Sequence, residues 1–169
     1  FSAPAQIGEA VLVYTDGGYA ANLEKATSKF DAVQQTAEPK ELEKKATPGA
    51  HTVDEACASL GVDQGQMIKS MLYMAKMGED DYQPVMVLMR GNDEVNETKV
   101  ENALDCDELE LASEEDAVKY LGAHPGSLGP VGVGEDVKIL ADNYVKVLVN
   151  MACGANDDAH HYVNANVDG

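Results

Sequence analysis

The sequence MIKSMLYMAKMGEDDYQPVMVLMR, at residues 67–90, contains two apolar runs on either side of the polar segment GEDD. Residues 67–76 predict a strand that carries Lys69, and GEDD predicts a turn. The continuous apolar run at residues 84–90 is typical of a strand that is buried in a sheet. The stretch therefore predicts a domain built on a β-sheet.

Helix-capping signals lie on both sides of this stretch. Thr52-Val53-Asp54-Glu55 is a capping box, in which the threonine oxygen bonds an amide three residues on and the glutamate bonds back. It predicts a helix to Leu60 that ends at Gly61. Asn96 predicts a second helix to about residue 104. Ser113 predicts a third to residue 121, with acidic residues in its favourable first turn.

Further strands are predicted at residues 108–111, 137–141, 144–151 and 162–167. Strands and helices are interspersed without strict β-α-β alternation. This order predicts an α/β fold of the mixed α+β kind, with a mixed, barrel-like sheet surrounded by helices.

The first 45 residues differ from the rest of the chain. Residues 11–14 predict a short strand, and residues 20–45 are polar with only a weak apolar face. We therefore divide the chain into a linker or edge segment at 1–45 and a domain at 46–169, which opens on Thr47-Pro48-Gly49. Because the chain starts without Met and stops abruptly, we expect it to be a piece of a longer protein.

The charge balance limits the possible partners. Thirty Asp and Glu stand against twelve Lys and Arg, which gives a net charge of -18. A protein that binds duplexes or long single strands needs a stripe of Lys and Arg to displace counterions. This chain has no such stripe, and its acids are expected to form a solvated surface. Any nucleic acid is therefore expected to be touched locally, at an end, or to be held by something outside this chain.

The cysteine pattern indicates a reducing compartment. Cys57, Cys106 and Cys153 are odd in number and form no CxxC pair. This favours free thiols over a disulfide framework or a zinc site. No apolar run approaches the roughly 18 residues of a membrane span, and no signal peptide is recognisable. The expected location is the cytoplasm.

Lys69 is isolated in an otherwise uncharged strand. A strand lysine that faces a pocket can contact a phosphate or a developing negative charge. The alternative is an edge lysine that extends its charge into water.

The loop Gly126-Ser127-Leu128-Gly129-Pro130 is the second candidate. Its glycines let backbone amides approach a ligand, and its proline stiffens the exit. Such amides can hold a carbonyl oxygen or line a small cavity, although a purely structural loop is the alternative. Asp142 lies between two predicted strands, where it can receive a ligand amine or belong to a plain turn.

The remaining chemistry-bearing residues give no known catalytic motif. His160 and His161 are adjacent in a predicted strand, so their side chains point to opposite faces and cannot form a metal pair. The sequence has no Ser-His-Asp order, nucleophile elbow, HExxH or Walker motif. If the chain is an enzyme, water or the substrate's own hydroxyl is expected to supply the nucleophile.

In order along the chain, these segments resemble the editing insertion domain of bacterial-type prolyl-tRNA synthetases, a member of the aminoacyl-tRNA deacylase superfamily. The first 24 residues resemble the synthetase's catalytic-core segment before the insertion. The matching stretches of the domain are Thr47-Pro48, Thr52-Val53-Asp54-Glu55, Ile68-Lys69-Ser70, Arg90-Gly91-Asn92-Asp93-Glu94-Val95-Asn96-Glu97, Gly126-Ser127-Leu128-Gly129-Pro130, Ala141-Asp142, and Gly154-Ala155-Asn156 leading to His161-Tyr162. The fourth stretch departs from the family, which usually has an aspartate and a histidine where this chain has Asn92 and Asp93.

The resemblance implies hydrolysis of alanine esterified to the proline tRNA. It implies that Lys69 contacts the terminal adenosine and, with His161, supports catalysis. The loop at Gly126, Ser127, Leu128, Gly129 and Pro130 would hold the aminoacyl group, and Thr47, Asp142 and His161 would line its pocket.

The resemblance also sets the expected partners. They are the 3′ aminoacyl end of tRNA(Pro) and the rest of the synthetase, with the parent expected to be a homodimer and no membrane involved. No metal or other cofactor is expected for editing, because ATP and Mg²⁺ serve the parent's ligation site outside this chain. The alternatives are a non-catalytic structural insertion and a free-standing trans-acting deacylase of Cys-tRNA(Pro).

Overall fold

A computed structural model of the chain describes residues 12–14, 16, 20–22 and 35–167. Leu12–Tyr14 (β1) and Ala20–Asn22 (β2) pair as a small antiparallel sheet. The main sheet of the described residues has seven strands in the order β3-β9-β8-β4-β5-β7, with β6 paired to β4. Its strands are Glu43–Ala46 (β3), Met67–Lys76 (β4), Tyr82–Arg90 (β5), Glu108–Leu111 (β6), Lys138–Ala141 (β7), Met151–Gly154 (β8) and His160–Ala165 (β9).

The hairpin of β4 and β5 lies at the centre of the sheet. Its register runs from Ile68 opposite Arg90 to Lys76 opposite Tyr82. Residues 84–89 are all buried, because alternate side chains enter two different cores. Met86 and Leu88 pack in one core, whereas the side chains at 85, 87 and 89 pack in another. The prediction of a buried strand is therefore confirmed, and burial on both faces explains its continuous apolar sequence.

The three predicted helices are confirmed as Val53–Leu60 (α1), Glu97–Leu104 (α2) and Glu114–Leu121 (α3). The capping box of α1 forms as expected, with the Thr52 hydroxyl accepting from the Glu55 amide and the Glu55 carboxylate accepting from the Thr52 amide. Gly61 ends α1 in the left-handed conformation, at φ 68°.

One predicted strand is wrong over most of its length. The segment at residues 144–151 is rich in valine, which is typical of a strand. Instead, Val145–Val147 forms a 3-10 turn and β8 begins only at Met151. The Asp142 carboxylate accepts a hydrogen bond from the Tyr144 amide at 2.8 Å, and the Asp142 carbonyl accepts from Val145 at 3.0 Å. These local bonds turn the backbone and override the strand propensity of the segment.

The predicted mixed α+β class is confirmed, with one refinement. β4 pairs in parallel with β8 and β5 with β7, while the other pairings of the main sheet are antiparallel. Among the described strands, β3 and β7 are opposite edges of an open sheet, which is not closed into a barrel. The last strand begins at His160, two residues before its predicted start.

The first strand of the main sheet crosses the predicted domain boundary. β3 pairs with β9, placing Lys45 opposite His161. The boundary between residues 45 and 46 therefore falls inside a strand, and the assignment of residues 1–45 to a neighbouring segment stays a prediction. Within the described ranges, no helix is long and apolar enough to cross a membrane.

Candidate active site

A cavity of about 350 Å³ lies beside β4, where one edge of this strand is uncovered. On that edge β8 pairs with Met67 and Ile68, and β6 pairs with residues 73–76. Residues 69–71 lie between these two partners and line the cavity. The gap in the sheet therefore creates the space, and it brings Lys69 to the cavity wall.

The other walls come from segments that are distant in the chain. The start of α1 contributes His51, Thr52 and Val53, and the end of β6 contributes Leu111 and Ala112. The remaining lining residues are Ala56, Met67, Ile68, Leu72, Ala117, Pro125, Gly126, Leu128, Gly154 and His161. The wall is thus mostly apolar with a few polar groups, which is the usual composition of a small-molecule site.

The glycine-rich loop is held against the β8–β9 turn by close backbone contact. A Cβ at Gly129 would lie 1.8 Å from the Gly154 carbonyl oxygen, and a Cβ at Gly154 would lie 2.1 Å from that of Leu128. Asn156 locks this contact, since its side chain accepts from the Gly129 amide at 2.9 Å and donates to the Gly129 carbonyl at 2.8 Å. Glycine at both positions is therefore a steric requirement of the packing.

Only part of this loop reaches the cavity. Gly126 and Leu128 line it, whereas Pro130 lines a second cavity of about 590 Å³. The Ser127 hydroxyl has a structural contact, since it accepts a hydrogen bond from the Ala159 amide at 3.1 Å. Gly126 adopts φ 101°, and a Cβ there would lie 3.1 Å from the His51 carbonyl oxygen. The structure thus narrows the candidate wall of this cavity to Gly126 and Leu128.

His161 connects the loop to Thr47. Its Nδ1 lies 2.7 Å from the Thr47 hydroxyl oxygen, and the ring also hydrogen-bonds the Gly126 backbone. The two side chains are 4% and 0% exposed. Burial lowers the pKa of His161, and the bond to Gly126 only partly opposes this effect. The His161 imidazole is therefore neutral at pH 7. The neighbouring His160 does not line the cavity, as the alternation of side chains along a strand predicts.

Lys69 is held at the cavity wall by the segment that follows β5. Its ammonium donates to the Asp93 carbonyl and lies 3.5 Å from the Glu94 carboxylate. The Lys69 side chain is 19% exposed, against 92% for Glu94. The alternative of a lysine extended into water does not describe this geometry, because most of the side chain is covered and its charge is directed to a backbone oxygen.

The structure does not bring Asp142 to this cavity. Asp142 is exposed at the end of β7, where its carboxylate caps the turn at Tyr144. Thr47 is also absent from the lining, although its hydroxyl contacts His161 Nδ1. Lys69, Gly126, Leu128 and His161 therefore share one cavity, and the roles assigned to Asp142 and Pro130 in the aminoacyl pocket stay predictions.

Sequence reasoning missed Ser70 and His51, which both line the cavity. The Ser70 hydroxyl is buried and has no hydrogen-bond partner among the described residues. The uncovered edge of β4 places Ser70, and the segment before α1 places His51. Only the pairing of β6 and β8 with β4 reveals that uncovered edge. In the sequence, the one indication that Ser70 belongs to the site is its position directly after Lys69.

The cysteines are not placed as nucleophiles. Burial raises the pKa of Cys153 to about 12, and burial also raises the pKa of Cys57 and Cys106. None of the three lines the cavity. Across the described ranges, no three His, Cys, Asp or Glu side chains are grouped as a metal ion would need. The lining includes the Lys69 ammonium, the neutral imidazole of His161 and the backbone of Gly126, and this set suits attack by water on an activated ester.

The sequence is similar to known proteins over nearly its whole length. It is 77% identical over 168 residues to a proline–tRNA ligase of Limosilactobacillus reuteri, covering 99% of this chain and 29% of that protein. It is 56% identical over 169 residues to the proline–tRNA ligase of Levilactobacillus brevis, again covering 99% of this chain and 29% of the relative. The chain therefore spans less than a third of the length of these relatives.

Solved structures share the fold. A protein described as a candidate trans-editing enzyme for prolyl tRNA synthetase superposes with a TM-score of 0.61 at 20% identity, covering 74% of this chain and 76% of that one. A hypothetical protein superposes with a TM-score of 0.62 at 17% identity, covering 73% and 79%. At these identities the likeness establishes the fold alone.

The family is decided by the domain itself. The sequence model of the aminoacyl-tRNA editing domain matches residues 47–169, which include the whole cavity. The resemblance inferred from the ordered motifs is thereby confirmed, as is the expected enzyme class, an aminoacyl-tRNA hydrolase. The chain belongs to the family of aminoacyl-tRNA editing domains.

Proposed function

We propose that this chain hydrolyses the ester of alanine mischarged onto tRNA(Pro), as the editing domain of a proline–tRNA ligase in the cytoplasm. One observation carries the proposal: Lys69, Gly126 and His161, from three separate segments, border one small cavity that no cysteine lines. An aminoacyl ester needs little activation, so a positioned water, backbone amides and a nearby cation are sufficient.

The choice of alanine follows from the limits of a synthetase's own pocket. A pocket built for proline cannot strongly exclude a smaller amino acid, because each methylene is worth only about 1–3 kcal/mol. A second, smaller site can admit alanine and reject proline by size. The cavity of about 350 Å³ lies near the lower end of the range of about 300–1,000 Å³ for ligand sites.

In this proposal Lys69 contacts the terminal adenosine and supports catalysis, and the loop at residues 126–130 holds the aminoacyl group through Gly126 and Leu128. The neutral His161 fixes the loop relative to Thr47 and presents its ring to the cavity. The reaction is proposed to need no cofactor, since ATP and Mg²⁺ serve the ligation site of the larger protein. The remaining partners are the 3′ end of tRNA(Pro) and the rest of a homodimeric ligase.

The proposal is tested by deacylation of alanyl-tRNA(Pro), by this chain alone and within the full-length ligase. Lys69→Ala is expected to slow hydrolysis about 100-fold, the typical effect of removing one group that stabilises developing charge. The matched control is Lys138→Ala, which removes an exposed lysine of β7 and should leave the rate unchanged.

Three results would contradict the proposal. No deacylation by the wild type in either form would indicate a non-catalytic insertion. Faster release of cysteine than of alanine from tRNA(Pro) would assign a different substrate. Unchanged rates in both Lys69→Ala and His161→Ala would show that the chemistry takes place elsewhere.

A further inference from the structure

The carbonyl that holds Lys69 belongs to a residue that is itself clamped. The Asp93 carboxylate accepts two bonds from the Arg90 guanidinium, from Nε at 2.7 Å and from Nη2 at 3.1 Å. Their side chains are 31% and 27% exposed. A two-point bond of this kind fixes direction as well as distance, because the planar guanidinium matches the carboxylate. The position of the Asp93 backbone is thus tied to Arg90.

Arg90 is in turn held by Tyr144. Its guanidinium carbon lies 3.9 Å from the centroid of the Tyr144 ring, a distance typical of a cation–π contact. The Tyr144 amide donates to the Asp142 carboxylate at 2.8 Å. A continuous set of contacts therefore runs from Asp142 through Tyr144, Arg90 and Asp93 to Lys69.

The strand geometry explains why such a connection is needed. Arg90 is opposite Ile68 in the β4–β5 register, so these two side chains share one face of the sheet. Lys69 is the next residue of β4 and points to the other face. The segment after β5 passes around the end of the hairpin, and Asp93 meets Arg90 with its carboxylate and Lys69 with its carbonyl.

The exposed Glu94 is the weaker of the two contacts of Lys69. Its carboxylate is 3.5 Å away on a side chain that is 92% exposed, and ion pairs with such exposed groups contribute little. The direction of the Lys69 ammonium is therefore set mainly by the Asp93 carbonyl.

We propose that Arg90 and Asp93, supported by Tyr144, are positioning residues that hold the Lys69 ammonium at the cavity wall. Asp142 belongs to the same unit and acts on Lys69 through Tyr144, from outside the aminoacyl pocket. This inference rests on the proposed function of Lys69. It also gives a role to Asp93 at a position where the sequence departs from the usual motif.

The first test is a double-mutant cycle on deacylation of alanyl-tRNA(Pro), measured in single turnover with the full-length ligase. Asp93→Asn keeps the backbone carbonyl and the side-chain shape but loses the ion pair. It is expected to slow the reaction about tenfold when Lys69 is present, a normal coupling for residues in contact. In the Lys69→Ala background the same change should cost less than about twofold.

The second test needs no catalysis. The amine of Lys69 is methylated reductively in this chain, and its rate is compared by mass spectrometry with that of the exposed Lys138. Asp93→Asn and Tyr144→Leu should raise the relative rate severalfold, because they release the carbonyl that holds the ammonium. Tyr144→Phe keeps the ring under Arg90 and should restore the wild-type rate. Asp80→Asn makes the same chemical change on an exposed turn and should have no effect.

The outcomes separate this inference from the proposed function. Equal slowing by Asp93→Asn with and without Lys69, or an unchanged methylation rate of Lys69 in both loosening variants, would overturn the positioning role. Absence of deacylation by the wild type would overturn the proposed function instead, and the methylation rates would still decide whether the unit holds Lys69.

Discussion

At the scale of single residues, His161 both lines the cavity and contributes to stability. Its ring is buried against Thr47, and burial lowers its pKa in the folded state. The unfolded chain has the ordinary histidine pKa of about 6.5, so it binds the proton first as the pH falls. The contribution of His161 to stability is therefore complete above about pH 6.5 and declines below it.

We therefore expect the wild type to lose more unfolding free energy between pH 7.5 and pH 5.5 than His161→Gln does. Urea unfolding at the two pH values measures the difference. His51→Gln removes an exposed histidine and should keep the wild-type pH dependence. If wild type and His161→Gln lose the same stability, the buried ring is not the group that titrates.

At the scale of elements, the loop at residues 126–130 and the β8–β9 turn form one unit. Backbone meets backbone at Gly129 and Gly154, and Asn156 bonds across the contact. A side chain at either glycine would push the loop away from β8, and the loop would carry Gly126 and Leu128 with it. The shape of the cavity therefore depends on a contact whose glycines do not both line it.

Gly129→Ala is accordingly expected to destabilise the fold by about 1–3 kcal/mol, the usual cost of overpacking. Deacylation should fall as well, because the cavity wall moves. Gly78→Ala is the matched control, since its Cβ would lie 3.9 Å from the nearest side-chain atom. Chemical denaturation and the deacylation rate are the two measurements. A stable and fully active Gly129→Ala would contradict the backbone contact.

The helices and strands also show which parts of the fold the sequence could predict and which it could not. The three helices follow from local caps such as Thr52 and Ser113, because a cap is a bond between near neighbours. The prediction of a strand at residues 144–151 is wrong because the Asp142 carboxylate turns the backbone there. Local patterns do not reveal which of two local interactions is stronger.

The candidate site shows the same division. Order along the chain identified Lys69, Gly126 and His161, which the fold does bring to one cavity. The same reasoning placed Asp142 in the pocket, whereas the structure places it at an exposed turn. The position of Ser70 in the cavity lining could not be predicted, because the uncovered edge of β4 depends on where β6 and β8 stop pairing with it. Such pairings join residues that are far apart in sequence.

At the scale of the whole molecule, the net charge of -18 opposes RNA binding. Affinity for nucleic acid normally comes from cations that release counterions from phosphates. Lys69, which lines the cavity, is already paired with Glu94, and Arg90 is already paired with Asp93. The chain therefore provides a small cavity but little long-range attraction for RNA, and under the proposed function the affinity comes from another part of the ligase.

Covalent attachment to a larger protein can supply this affinity for tRNA. A module joined to the protein that holds the tRNA sees the 3′ end at an effective concentration in the millimolar range, and avidity gains of about 10²–10⁴ are typical. We expect this chain alone to reach half-maximal deacylation at an alanyl-tRNA(Pro) concentration at least about 100-fold higher than the full-length ligase requires. The maximal rates should be similar, because the cavity is the same in both forms. Lys69→Ala should slow both forms alike, which shows that the same site is measured. Equal half-maximal concentrations would mean that contacts within this chain hold the tRNA despite its charge, and the covalent attachment would then have no part in binding.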